Sequence, residues 1–267
     1  SCKGLAPSTV THFKNVIGGV LNLAVDDGAL PVNPSHRLGR IIREKSLKLV
    51  ADPLTREELA ALLNTFREHF PRHYPMALTL ARTGMRLGEA MALQWGDIDF
   101  HGRFINVQRN ISKGIVGTPK SGKSRRVDMS RQLAETLWHL RNQRRIETLQ
   151  KGWGQVPKWV FISETGTSLI EHHWRVRVYA KALEKAGLRR IRIHDLRHTY
   201  ASLLIQAGES LAYVRDQLGH HSIKVTVDIY GHLAPEGNKA AVDRLDDDAT
   251  IRNLSATKTE KDSAAVS

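Results

Sequence analysis

The sequence has a single cysteine, few aromatic residues (6%) and no apolar run approaching the ~18 residues that a membrane-crossing helix needs. Cys2 alone cannot close a bridge within the chain, which excludes a disulfide scaffold and fits a reducing compartment. The opening Ser1-Cys2-Lys3 carries no charged-then-apolar leader pattern. These absences argue against secretion and membrane insertion. Acidic residues are also short, 27 against 40 Lys plus Arg, for a formal charge of +13. What is present is 41% hydrophobic residues over 267 positions, enough to bury a core in one large domain or two smaller ones without metal or disulfide staples.

The charge is unevenly placed. From Glu236 to Ser267 five basic residues meet seven acidic ones, so that tail is −2 and residues 1–235 carry +15. A strongly basic body concentrates phosphate-bearing polyanions, and each contact with nucleic acid releases counterions. A basic surface kept only for solubility explains the same number, and net charge alone does not choose.

Along the chain, residues 7–30 predict a helix and its exit turn, from Pro7-Ser8-Thr9 through Val10, Phe13, Ile17, Val20, Leu21 and Ala24 to Asp27-Gly28. Basic text without periodicity follows, and 46–54 reads as a linker. Thr55-Arg56-Glu57-Glu58 is a capping box that starts a new domain, with Leu59, Leu62, Leu63, Phe66 and Phe70 as the buried stripe. A helix over 75–83 stops at Gly84; the next starts near Arg86 and ends at Trp95-Gly96-Asp97. Residues 98–107 predict a hairpin turning at His101-Gly102, with 125–129 as a further strand. Helices are expected at 131–150, 171–186, 195–207 and 210–218, the last two followed by Gly208 and Gly219. The tail from Ala249 is polar and rich in small residues, a composition of disorder.

Two places concentrate chemistry. In His194-Asp195-Leu196-Arg197-His198-Thr199-Tyr200, His194 and Arg197 share a face at a helix start, where free amides and the dipole favour a phosphate. In Thr83-Gly84-Met85-Arg86-Leu87-Gly88-Glu89, Arg86 opens a helix and Glu89 follows one turn on, which positions the guanidinium. Taken singly, each is matched by a bland alternative: a capping His beside a surface Arg, or an exposed ion pair of little worth. Leu218-Gly219-His220-His221 and Asp228-Ile229-Tyr230-Gly231-His232 add two imidazoles and, ten residues beyond His220, a tyrosine.

Arg86 in TGMRLGEA, the His194/Arg197 pair in HDLRHTYAS, LGHH, and Tyr230 in DIYGHL, in that order and spacing, resemble the tyrosine recombinases, and most of all the integrases of phages and integrative elements. The likeness covers about 53–245, while 1–50 resembles only the end of the family's helical core-binding domain. The chain opens without Met and partway into that pattern, which predicts a piece of a longer protein.

The resemblance implies a mainly α fold with a small antiparallel β-sheet (α+β). It divides the chain into 1–50 as the end of the core-binding domain, 51–235 as the catalytic domain and 236–267 as a docking helix with a disordered tail. It implies a catalytic set of Arg86, Lys120, His194, Arg197, His220 and Tyr230. Lys120 is the match to the family's hairpin lysine, Lys123 is its competitor, and Lys123, Arg125 and Arg126 are expected to contact the DNA backbone. His221, the adjacent imidazole of LGHH, is a second candidate for the place given to His220. Residues 222–230 alternate apolar and polar like a strand, whereas the resemblance implies a helix ending at Tyr230, with Thr226 expected as its cap.

The implied activity is site-specific cleavage and rejoining of DNA through a 3′-phosphotyrosine link, integrating or excising a mobile element without metal, ATP or any other cofactor. The implied partners are double-stranded recombination sites, three further copies of the chain in a tetramer synapsed on DNA, and accessory DNA-bending proteins, with no membrane. The expected place is the prokaryotic cytoplasm, on the nucleoid. A type IB topoisomerase and a non-catalytic DNA-binding regulator are the alternatives. Zinc is not expected despite 13 His, since His172-His173 and His220-His221 lack i, i+4 spacing or a Cys partner.

Overall fold

The structure, a computed structural model, describes residues 5, 7–38, 52–119, 122–233 and 242. Lys120, most of the 46–54 linker and, apart from Val242, the segment from 236 onward lie outside the described residues. The chain divides into two compact units, 1–50 and 51–267.

In the first unit, helix α1 (Pro7–Asp26) is followed by a turn and a short 3-10 segment, Pro34–Arg37. Asn33 holds the return: its side-chain amide donates to the Gly18 carbonyl (3.1 Å) and to Asn22 Oδ1 (2.5 Å), while its own Oδ1 accepts from the Ser35 amide (2.8 Å). Phe13, Val16, Ile17, Val20 and Leu23, at helical spacing along α1, are exposed.

The second unit starts at α2 (Arg56–His69), whose capping box forms as the sequence predicts. The Glu58 amide donates to Thr55 Oγ1 (3.2 Å) and the Thr55 amide to Glu58 Oε2 (2.8 Å). Helix α3 (Tyr74–Thr83) is buried over almost its whole length and stops at Gly84, which is left-handed at φ 60°. Helix α4 (Leu87–Met91) ends earlier than the sequence suggested. The Val160 amide donates to the Leu93 carbonyl (2.9 Å) and the Trp95 amide to the Lys158 carbonyl (3.3 Å), so the chain after Met91 is pulled into extended pairing. Trp95–Asp97 form a separate 3-10 turn.

Strands β1 (Ile98–Asp99), β2 (Phe104–Val107) and, beyond an intervening hairpin, β5 (Arg125–Asp128) make one antiparallel sheet in the order β1-β2-β5. Ile105 faces Ile98 on one side and Val127 on the other. The left-handed residue of the first turn is Arg103 (φ 51°). The inserted hairpin, β3 (Asn110–Ser112) and β4 (Ile115–Gly117), was not foreseen and leads into the loop that carries Lys123. Helix α5 (Arg131–Lys151) follows. Then α6 (Glu171–His173) continues through a π-helical stretch, Trp174–Tyr179, into α7 (Ala180–Lys185). That stretch turns Trp174 and Tyr179 into the core, where Trp174 stacks on Phe66 (6.2 Å).

The last helices are α8 (Ile193–Gln206), α9 (Leu211–Leu218) and α10 (Ile223–Tyr230). They enclose a small second core of Tyr200, Ala201, Ile205, Val214, Leu218 and Tyr230. Residues 223–230 are helical despite their strand-like alternation, but Thr226 is not the cap. Ser222 takes that place by accepting from the Lys224 amide, and Thr226 is fully buried inside the helix. The fold is thus mainly helical with small antiparallel sheets, as the sequence implied.

Candidate active site

Glu89 is the hub of one half of the site. It is 1% exposed, on α4, and accepts from Arg86 twice: from the backbone amide (2.9 Å) and from Nη1 (2.9 Å). Arg125, arriving from β5, donates both guanidinium nitrogens to the same carboxylate (3.0 and 2.7 Å) and its Nε to the Gln217 carbonyl (3.0 Å). Burial would raise the Glu89 carboxyl. The hydrogen bonds and charge of Arg125, followed by those of Arg86, outweigh burial and bring it to about 2.

Arg197, on α8, is the other anchor. It is 3% exposed and bonded to backbone alone, with Nη1 donating to the Gly84 carbonyl (2.7 Å) and Nη2 to the Leu218 carbonyl (2.6 Å). Both carbonyls lie at helix C-termini, where the dipole favours a cation. Burial, then the nearby charges of Arg86 and Arg125, push Arg197 down to about 9, which leaves it charged at neutral pH. The close fit restricts two glycines. A Cβ on Gly84 would lie 2.6 Å from Tyr200 Cδ1, and one on Gly219 (φ 65°) 2.5 Å from Arg125 Cδ.

The imidazoles are kept neutral. Burial of the ring, then His198, Arg197 and Arg86, push His194 down to about 4, although the residue as a whole is exposed. Burial, then Arg197 and Arg86, push His220 to about 3. The Nδ1 of His220 pairs with Thr226 Oγ1 (2.9 Å); with Thr226 as donor, the ring carries its proton on Nε2 and presents a donor there. Tyr230, at the end of α10, is 1% exposed, and its hydroxyl lies 2.6 Å from His198 Nδ1. Burial raises its phenol to about 12, with Arg197 pulling the other way.

The structure therefore gathers Arg86, His194, Arg197, His220 and Tyr230 into one electrostatic neighbourhood, centred on Arg197. Lys120 lies outside the described residues. Arg125 departs from expectation. As part of the Glu89 bracket, with a side chain only 9% exposed, it is not a free hand for the DNA backbone. Arg126 is exposed, with its guanidinium 3.8 Å from the Phe104 ring centroid, and Lys123 is exposed on the loop. His221 is exposed beside the half-buried His220. A cavity of about 560 Å³ adjoins Arg86 and His194 and carries Arg175, Arg190 and Arg192 on its walls. Among the described residues no three His, Cys, Asp or Glu side chains are placed to hold a metal ion, and no helix is long and apolar enough to cross a membrane.

Sequence reasoning missed the pairing of Arg125 with Glu89 and the place of His198. Arg125 lies 36 positions from Glu89, so local spacing held no sign of their pairing. His198 was visible in HDLRHTYAS but is one residue past the pair that drew attention.

The sequence pattern of the phage integrase family matches residues 52–236. A tyrosine recombinase XerC-like protein of Caldanaerobacter subterraneus is 31% identical over 92% of this chain and 67% of its own length. The ICEBs1 integrase of Bacillus subtilis is 29% identical over 91% of this chain and 67% of its own. The chain thus spans about two thirds of the length of these relatives. In structure, the Tn1549 transposon integrase, solved in complex with transposon right-end DNA, shares the fold at a TM-score of 0.71 and 19% identity, over 91% of this chain and 81% of that one.

Proposed function

The chain belongs to the phage integrase family and is a site-specific DNA recombinase of mobile elements; from that premise we propose that Tyr230 is the nucleophile of a metal-free strand transfer. Arg86 and Arg197 hold the non-bridging oxygens of one phosphodiester, and His194 and His220, neutral at neutral pH, donate to the same group. Arg197 is suited to this because its two carbonyl bonds fix the guanidinium while leaving further N–H groups for a phosphate. The Tyr230 oxygen attacks phosphorus and the 5′-oxygen leaves, giving a 3′-phosphotyrosine link and a free 5′-hydroxyl. Lys120 gives the leaving oxygen its proton. The link keeps the bond energy, so a 5′-hydroxyl from a second duplex reverses the step and completes exchange without ATP or any cofactor.

One observation carries this reading: a buried arginine with backbone partners shares its surroundings with Arg86, His220 and the Tyr230 hydroxyl. Suicide duplexes built from the ends of the encoding element test it. They should trap a covalent adduct that Tyr230→Phe abolishes while DNA binding persists; an adduct surviving in Tyr230→Phe overturns the reading. For the acid, Lys120→Ala should be rescued by a 5′-bridging sulfur, since a thiolate leaves without a proton. Lys123→Ala should need no rescue, and the reverse pattern moves the role to Lys123.

The same proposal covers assembly and setting. Residues 1–50 contribute to gripping the site, accessory DNA-bending proteins assist, and the protein works in the bacterial cytoplasm on the nucleoid. Four copies pair two duplexes, with 238–247 docking on a neighbour through Ala241, Val242 and Leu245, because so short a helix is unstable alone. Truncation after Leu233 should leave single-site binding largely intact and weaken synapsis. Equal synapsis by the truncated chain refutes docking in trans.

A further inference from the structure

His198 has no role in the mechanism above, yet its Nδ1 lies 2.6 Å from the Tyr230 hydroxyl. The two ring centroids lie 5.7 Å apart, and the His198 ring also meets the His194 ring nearly at right angles, at 5.0 Å. The charged and titratable groups around it are Asp195, Arg192, Arg197 and His194 on α8 and its approach, Tyr230 on α10, and His220 from the loop between α9 and α10.

A protonated phenol is a weak nucleophile, and burial of Tyr230 makes its proton harder to lose. That proton has to go to a base within hydrogen-bond reach as the bond to phosphorus forms. The clamp arginines and a charged lysine have no lone pair to offer. His220 has its Nδ1 engaged by Thr226. Burial keeps His198 neutral at neutral pH, with a lone pair free to accept, and the Asp195 carboxylate nearby favours the imidazolium once it forms. Asp195 is itself held by Arg192 (2.7 Å), so it acts as a fixed charge.

We propose that His198 is the general base of strand cleavage, taking the Tyr230 proton on Nδ1 and returning it on rejoining. The inference rests on Tyr230 being the nucleophile. In cleavage the Oη–P bond forms and the P–O5′ bond breaks. The phenolic proton passes to His198, and the leaving 5′-oxygen takes one from Lys120. Rejoining runs both transfers backwards, so the cycle is balanced without any co-reactant.

The test is single-turnover adduct formation by the full chain on suicide duplexes from the element's ends, followed from mildly acidic to alkaline pH. Asn and Gln at 198 can still hydrogen-bond the phenol but accept no proton near neutrality. His198→Asn and His198→Gln should therefore bind DNA normally and form adduct about 10²–10⁴-fold more slowly near neutral pH. The residual rate should climb with pH as solvent base takes over. Replacing Tyr230 by the more acidic 3-fluorotyrosine should recover part of the loss, whereas a 5′-bridging sulfur should recover none. Wild-type rates in either amide variant reduce His198 to a positioning residue and overturn the proposal. Faster cleavage by His198→Phe overturns it as well, because the contact would then restrain the tyrosine. Tyr230→Phe separates the two levels. Persistence of adduct there removes the nucleophile itself, while a Tyr230-dependent adduct indifferent to position 198 removes only the base.

Discussion

Glu89 shows how much one residue can carry. Its carboxylate is shared by Arg86 and Arg125, and its acidity follows from them. Removing the charge from such a buried group leaves two cations without a counter-ion, so Glu89→Gln should cost about 3 kcal/mol in denaturant unfolding near neutral pH. The folded carboxyl, at about 2, lies below its ordinary 4.5. Its contribution is therefore complete above about pH 4.5 and fades as pH falls toward 2, where wild type and variant should converge. A constant difference through that window would show that the cost comes from packing. At this scale the sequence disclosed what lies within one helical turn. Arg86 with Glu89 was legible from spacing, while Arg125 with Glu89 needed the strand β5 to be placed.

Elements were legible where cap and periodicity agree. The Thr55 box and the stripe behind it gave α2, and Gly84 and Gly219 ended α3 and α9 where left-handed caps belong. They were opaque where partners distant in sequence compete, as at the end of α4, or where local alternation misleads, as in α10. There β-branched residues form a helix because Thr226 and Tyr230 are buried, Tyr230 in the small core with α8 and α9. Thr226→Val keeps the volume but removes the hydroxyl that meets His220. It should cost about 1 kcal/mol of stability and slow adduct formation; an unchanged adduct rate would show that the His220 ring needs no support from α10. Gly84→Ala should be the harsher change, since left-handed backbone and contact with Tyr200 both oppose a Cβ. A loss of about 1–3 kcal/mol by thermal unfolding is expected, and a neutral result would mean that α8 yields more readily than its burial suggests.

For the whole molecule, the positive charge predicts binding to DNA that weakens steeply with salt. The log–log slope measures the phosphate contacts, and Arg126→Ala should lower it by about one while weakening all sequences alike; an unchanged slope would remove Arg126 from the DNA surface. The total charge was plain from composition, but the site's internal pairing, which withdraws Arg125 from that surface, was not. Arg86 and Arg197 also differ in how their supports withstand evolution. Arg86 depends on a side chain, and a single codon change at Glu89 deprives it of support. The partners of Arg197 are main-chain carbonyls, which every amino acid possesses, so no replacement at 84 or 218 can delete them without moving a helix. Mutational drift should therefore erode the Arg86 side of the site first and leave the Arg197 seat standing in decayed copies.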